Sequence, residues 1–330
     1  MTRWPVPVVL AAMLAAPLLA QQAAPPFEQW RAELMAEART RGFDAALVTR
    51  ALGRAEPREQ VIAEDRNQAE IVQTLETYYN SRVRPTMVDY GREVAVEHAA
   101  LLADLERVYG VPGEFLLAIW GMESSFGRFT GGVPVFDALV TLAWDPRRAD
   151  LFRGQIFDAL QIVAGGDVDL DDMTGSWAGA MGQAQFLPSS YLALAVDHDG
   201  DGRRDIWNST ADALASMANY LVQQSGWNRG YTWGREVRAP SGLADEVPGR
   251  ATGGCPGMRR MTERRPLAAW QAAGVRRTDG GALPAVEIDG SLVAIDSRAF
   301  LVYDNYDALM RYNCVHRYAL TVAMFAAQLR

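Results

Sequence analysis

The chain has 330 residues, 49% of them hydrophobic, enough to bury a sizeable core in two or three domains. Its formal net charge of −8 argues against a nucleic-acid protein, because phosphate binding needs a basic field. Apart from three His, every basic residue is Arg; that reads as a compositional bias and says little about chemistry.

At the N-terminus, Arg3, the apolar run Val6–Ala16 and a cleavage point after Leu18-Leu19-Ala20 predict a signal peptide over residues 1–20. The run is short for a membrane span, with an uncleaved anchor as the competing reading. No Cys lies near the cleavage point to accept a lipid, so the mature protein is expected to be soluble in the periplasm.

After Pro25-Pro26, helical periodicity predicts helices over Phe27–Arg39, Phe43–Leu52, Ile71–Tyr79 and Gly91–Tyr109, with Val94, His98, Leu101, Leu102 and Leu105 on a common side of the last. His98 reads there as a packed or rim histidine. The segment Glu114–Gly127 reads as a helix closed by its terminal glycine, and Leu151–Ala164 as one that stops at Gly165-Gly166. Another spans Asp212–Gln224, begun by Ser209 as cap with Asp212 reaching back. From Thr232 to about Phe300 the texture turns Gly- and Pro-rich, with short strands at Arg235–Arg238, Ala285–Ile288, Leu292–Ile295 and Phe300–Tyr303 around a helix at Leu267–Ala273. Helical pattern resumes at Tyr306–Arg311 and Tyr318–Leu329. The fold class is mainly α. Residues 27–110 form an N-terminal helical domain completed by 304–330, residues 111–231 the core that carries the chemistry, and 232–303 a small β-containing insertion.

Within Glu114–Gly127, the stripe Leu116, Ile119, Trp120 continues at i+7 with Glu123. A carboxylate in an apolar wall loses hydration, which favours its protonated form, and a glutamate raised in this way can serve as the acid that glycosidic cleavage needs. The competing reading is a surface Glu on an irregular helix. No second acid follows at an obvious spacing in that segment, although Asp137 or a more distant carboxylate can fold into range.

The run Asp197–Asn208 places carboxylates at positions 1, 3, 5 and 9 (Asp197, Asp199, Asp201, Asp205) and Gly202 at position 6, the spacing of an EF-hand calcium loop. Arg203 would add its carbonyl at position 7. Asn208 stands at position 12, where a bidentate acid is usual, which weakens the site. Calcium is favoured over zinc because the donors are oxygens, with only His198 otherwise at hand. Its role is expected to be structural; the alternative is an acidic turn without metal. Cys255 and Cys314 are the only cysteines, and export to an oxidising compartment predicts a disulfide between them, against the alternative of two buried thiols.

Val108-Tyr-Gly-Val-Pro112, Ala118-Ile-Trp-Gly-Met-Glu-Ser-Ser-Phe-Gly127, Thr141-Leu142, Arg147-Arg148, the long run Gly175–Tyr191, Asp205-Ile-Trp207, Asn219-Tyr-Leu221, Gly226-Trp227 and Arg311-Tyr-Asn313 follow one another in order. From about Tyr78 to the C-terminus this set resembles the lytic murein transglycosylases of the B type, membrane-bound and soluble. The resemblance implies a lysozyme-like core over 111–231. It implies Glu123 as general acid/base, and Ser176 and Gln185 as polar residues lining a glycan groove. Tyr78 would be an aromatic on the N-terminal side of that groove, Arg147 and Arg148 a pair near the acid, and Tyr312 and Asn313 a motif beside it. It further implies a lyase that cleaves the MurNAc–GlcNAc β-1,4 bond of peptidoglycan without water, leaving 1,6-anhydroMurNAc ends, with no cofactor in the chemistry. Peptidoglycan strands are the expected partner of a monomer, with cell-wall synthesis or remodelling proteins as further candidates. Two other readings stand beside it: a hydrolytic muramidase, and a noncatalytic peptidoglycan-binding protein.

Overall fold

The computed structural model describes residues 25–66, 73–224, 226–251 and 254–330. The signal peptide read over 1–20 and the start of the helix read at Ile71 lie outside the described residues.

The sequence alternates short helices with Gly- and Pro-bearing breaks, and the chain folds accordingly. Helices Phe27–Thr40, Ala45–Leu52 and Glu59–Arg66 lead in; Asp44 caps the second by accepting from Leu47 N at 2.8 Å. Helix Leu75–Arg82 begins at Thr74, whose hydroxyl accepts from Thr77 N. The single helix expected over Gly91–Tyr109 is two, Pro85–Glu97 and Ala99–Tyr109. Pro85 sets the true start at N1, and His98, at φ −102° and ψ 18°, breaks the run. The His98 ring stands edge-on to Trp120 at 5.6 Å, a packed position as expected.

Helix Gly113–Ser124 is the centre of the molecule. Phe115, Leu116, Leu117, Ala118, Ile119 and Trp120 are all buried, so it is apolar all round until its last turn and carries no single stripe. Helices Val135–Trp144 and Ala149–Gly165 pack against each other, and His316–Ala326 lies along Gly113–Ser124 and Leu75–Arg82. Buried hydrophobic residues from Trp30 to Leu329 form one cluster, so the lead-in helices and the central segment share a core.

The expected insertion is a five-stranded antiparallel sheet, in the order Arg265–Pro266, Asp289–Ile295, Arg298–Val302, Gly234–Arg238, Arg276–Arg277. It has its own small core around Trp270 and Leu292, with Trp270 Nε1 donating to the Gly290 carbonyl at 2.8 Å. The strand expected at Ala285–Ile288 does not form: Ile288 N turns back to the Val286 carbonyl, and pairing starts at Asp289. The hairpin between Ile295 and Arg298 reaches the helical body, where Asp296 Oδ2 accepts from Leu75 N at 2.6 Å. That contact fixes the first turn of the helix carrying Tyr78. Cys255 and Cys314 are joined by a disulfide across a separation of 59 residues, tying the insertion to the last helical hairpin.

Candidate active site

The helix bearing Glu123 ends at Ser124, three residues before the glycine expected to close it. Ser125, Phe126 and Gly127 follow in the left-handed region, at φ 50°, 60° and 78°. Two non-glycine residues there cost about 1–2 kcal/mol each. Burial of Phe126 offsets the cost: its ring packs edge-on against Tyr90, Trp120 and Phe325. Ser124 holds the bend by accepting from Gly127 N at 3.0 Å. A Cβ at Gly127 would meet Gln183 Oε1 at 2.7 Å, so both its φ and its neighbour require glycine. The strained turn throws the chain away from the helix directly after Glu123 and leaves that side chain half-buried at the helix end.

The Tyr318 hydroxyl donates to Glu123 Oε1. Tyr318 is buried, and its ring stacks on Tyr312 at 6.5 Å with 8° between planes. Tyr312 packs in turn on Tyr220 at 4.8 Å and donates its hydroxyl to the Ala184 carbonyl at 2.7 Å. Tyr220 donates to the Arg311 carbonyl at 2.7 Å. The Tyr220 position exists because the helix expected to run unbroken over Asp212–Gln224 is α only from Thr210 to Asn219 and then widens into a π turn, Tyr220–Gln224. Burial first, and then the Glu123 charge, push the Tyr318 and Tyr312 hydroxyls well above their ordinary range, so both stay protonated as donors.

Ser176 and Gln185 lie on a compact double turn. Gly175 pairs with Val133 and bridges to Met181, and Met181 pairs with Phe186. Ser176 Oγ accepts from Ala178 N and Ala180 N, both at 3.2 Å. Gln185, in the left-handed region at φ 51°, donates to the Thr130 carbonyl at 3.0 Å, in the segment that leaves the Glu123 helix. Between them Gln183 accepts from Trp120 Nε1 at 2.9 Å and donates to the Trp207 carbonyl at 3.1 Å. Buried Gln183 therefore joins the Glu123 helix, the double turn and the acidic loop.

The remaining sequence-predicted positions divide. Tyr78 is buried on the helix that packs against His316–Ala326, the helix carrying Tyr318; neighbouring Tyr79 accepts from Gln328. Asn313 caps the helix Asp304–Tyr312 and carries the chain into the Cys314 bridge. Arg147 and Arg148 both pair with the buried Asp65 carboxylate, Arg148 at 2.7 Å, and so clamp helix Glu59–Arg66. Asp137, the other acid within reach by sequence, is held by Arg58 Nε at 2.8 Å and by Glu56 N.

In the acidic loop, the carboxylates of Asp197 and Asp199 gather with that of Asp212, their ligand atoms within 4.8 Å of one another. Asp201 and Asp205 do not join them: Asp201 accepts from Arg203 N at 2.8 Å, and Asp205 from Trp207 N and Asn208 N. Ser209 caps the following helix as expected, accepting from Asp212 N. Asp212 does not reach back to it. Its fully buried carboxylate accepts from the amides of His198, Asp199 and Asp205, drawing the loop around itself. Burial raises its pKa, and the three amides oppose the shift.

Sequence reasoning missed Tyr318, Gln183 and Asp212 as members of the site. Gln183 sat inside the distinctive Gly175–Tyr191 run, a usable signal. Tyr318 and Asp212 carried none, since one read as an apolar helix residue and the other as a cap.

A half-buried carboxylate at the end of an apolar helix, faced by aromatic rings and a polar double turn, stands at the centre of a mainly helical, lysozyme-like body. The chain belongs to the transglycosylase SLT domain family, whose model matches residues 26–327. It is 36% identical to membrane-bound lytic murein transglycosylase B of Escherichia coli K12 over 191 residues, 53% of this chain and 48% of that protein, so it matches about half of that relative's length. The crystal structure of SltB3 from Pseudomonas aeruginosa in complex with NAG-anhNAM-pentapeptide superposes with a TM-score of 0.81 at 39% identity, covering 92% of this chain and 79% of that one. Slt35 of Escherichia coli in complex with calcium superposes with a TM-score of 0.76 at 28% identity, covering 92% of each chain. Among the described residues, no helix is long and apolar enough to cross a membrane.

Proposed function

We propose that the protein is a periplasmic lytic transglycosylase that cleaves peptidoglycan glycan strands between MurNAc and GlcNAc, leaving 1,6-anhydroMurNAc ends. The observation that carries the reading is Glu123, half-buried at the end of an apolar helix with its carboxylate held by the Tyr318 hydroxyl. Glu123 in its acid form protonates the bridging oxygen as the bond to the muramyl anomeric carbon breaks. The resulting carboxylate takes the proton of the same sugar's 6-hydroxyl as that oxygen closes on the anomeric carbon. The nucleophile is tethered, so its effective concentration is high and neither water nor a protein nucleophile is needed. Tyr318 fixes the rotation of the carboxylate through both transfers. Commitment of Asp137 to Arg58 favours this route over hydrolysis, which needs a second carboxylate to activate water.

Calcium fits the gathered carboxylates of Asp197, Asp199 and Asp212, an all-oxygen donor set for a hard cation. It would neutralise that cluster and brace the Ile206–Trp207 segment, against which Gln183 positions Trp120. Ser176, Gln185, Tyr78, Tyr312 and Asn313 remain the candidates for lining the groove, whereas Arg147 and Arg148 act through the Asp65 clamp.

Mass analysis of muropeptides released from purified sacculi in water enriched in heavy oxygen tests the reaction. Anhydro ends without label are expected; predominantly labelled reducing ends would make the protein a muramidase. Glu123→Gln keeps the side-chain shape but supplies no acid, and is expected to lower turnover by a factor on the order of 10³ or more with sacculus binding retained.

A further inference from the structure

The β-containing insertion meets the helical body at the tip of its Asp289–Ile295 and Arg298–Val302 hairpin, and the residue there is Asp296. Its Oδ2 accepts from Leu75 N at 2.6 Å, and its Oδ1 pairs with Arg317 Nη2 at 3.8 Å. Leu75 opens the helix that carries Tyr78, one turn further on. Arg317 stands in the first turn of His316–Ala326 and directly precedes Tyr318. One carboxylate therefore joins the starts of both helices. The first amides of a helix lack partners within it and carry partial positive charge, so an anion set between two such starts satisfies a donor and offsets their repulsion.

The backbone at Asp296 is held in an uncommon conformation, at φ 52°. Among the described residues, the only other non-glycine residues in the left-handed region are Ser125, Phe126 and Gln185, all at the Glu123 site. The rest of the insertion braces the same helix. On one side Arg298, held by Glu236 at 2.7 and 2.8 Å, donates to Met324 Sδ at 3.3 Å on the Tyr318 helix. On the other, His316 Nε2 donates to the Gly257 carbonyl at 3.0 Å, two residues from the Cys255–Cys314 bridge. Between these ties lies a cavity of 440 Å³ lined by Ile295, Asp296, Cys314, His316 and Arg317. At this place the insertion holds the start of the helix by discrete ties rather than by an apolar core.

We propose that Asp296 is a positioning residue for the Glu123 site. Through it the insertion acts as a strut that sets His316–Ala326 against Leu75–Arg82, and with it the Tyr318 hydroxyl on the Glu123 carboxylate. The inference rests on the catalytic reading of Glu123. The Tyr318 helix packs on both the Glu123 helix and Leu75–Arg82, so a shift of its first turn moves the donor relative to the acid. A misplacement of about 1 Å can cost on the order of 10²-fold in rate. The insertion thereby takes part in the reaction through the geometry of the acid's hydrogen-bond partner.

Asp296→Gly removes the carboxylate and adopts the φ of 52° without strain, whereas Asp296→Asn keeps an acceptor for Leu75 N. On the full chain, well below melting, Asp296→Gly is expected to lower kcat for muropeptide release about tenfold with KM within about twofold, and Asp296→Asn to stay within about threefold of the wild type. In the Tyr318→Phe background, Asp296→Gly is expected to cost less than about twofold further, because it acts through that hydroxyl. Hydrogen exchange read by mass spectrometry is expected to quicken at least about fivefold in Leu75–Arg82 and in the first turn of His316–Ala326, and to stay unchanged in Val135–Trp144. Unchanged exchange, a Gly variant within about twofold of the wild-type kcat, or the full loss repeated in the Tyr318→Phe background overturns the proposal. The exchange readout needs no turnover. A wild type that releases no muropeptides, or a Glu123→Gln variant that still does, counts against the catalytic reading and leaves the strut to stand or fall on the exchange pattern.

Discussion

Tyr318→Phe removes one oxygen and keeps the ring in its stack on Tyr312. What is lost is the hydroxyl that donates to Glu123 Oε1. Hydrogen bonds to charged groups contribute about 1.5–3 kcal/mol. If that energy positions the carboxylate for proton transfer, kcat falls by a factor of about 10 to 150 while KM changes little, since each 1.4 kcal/mol is tenfold in rate. Tyr303→Phe is the control. It removes the hydroxyl that accepts from Arg235 Nε at 3.0 Å in the β-containing insertion, a net loss of about 1 kcal/mol that falls on stability. The assay is the initial rate of muropeptide release from sacculi, with melting measured on the same samples. In the Glu123→Gln background, Tyr318→Phe is expected to cause little further loss, because the two groups act as a unit. A Tyr318→Phe enzyme within twofold of the wild-type kcat, or a Tyr303→Phe enzyme equally slow, refutes the positioning role.

Calcium at a hundredfold excess over its Kd is expected to stabilise the protein by about 2.7 kcal/mol, or about 4 °C in melting temperature for a chain of this size, without entering the chemical step. Asp212→Asn should abolish that shift while Asp205→Asn retains it, since only Asp212 joins Asp197 and Asp199; calorimetry of chelated and calcium-loaded protein decides this. His316, enclosed between the Tyr306 hydroxyl and the Gly257 carbonyl, has its pKa pushed down to about 4, chiefly by burial. The unfolded chain therefore binds more protons than the folded one between about pH 6.5 and pH 4, so this contribution is full above that window and falls as pH drops through it, by about 3 kcal/mol at most. Denaturant titrations at pH 7 and pH 4.5 should show the decline, and His316→Asn should flatten it. Replacing both Cys255 and Cys314 by Ala opens a bridge spanning 59 residues and is expected to cost about 4 kcal/mol in the chain-entropy model; equal denaturation midpoints for variant and wild type would exclude such a role.

The sequence by itself determined the class of fold, the central helix with its terminal acid, the β-containing insertion and the Cys255–Cys314 pairing. These are matters of local periodicity, turn residues and composition, which neighbouring residues report directly. It misjudged breaks that packing imposes, such as the turn at His98 against Trp120, the left-handed pair at Ser125 and Phe126, and the π turn that presents Tyr220. Only the tertiary structure brought Tyr318 to Glu123 across 195 residues of chain, and Gln183 to Trp120 and Trp207 together. It also turned Asp212 from a helix cap into the centre of the acidic loop, and committed Arg147 and Arg148 to Asp65. The physical reason is the same in each case. Residue type and spacing fix which face a side chain takes on its own element, but the partner that satisfies a buried polar group comes from whichever element packs there.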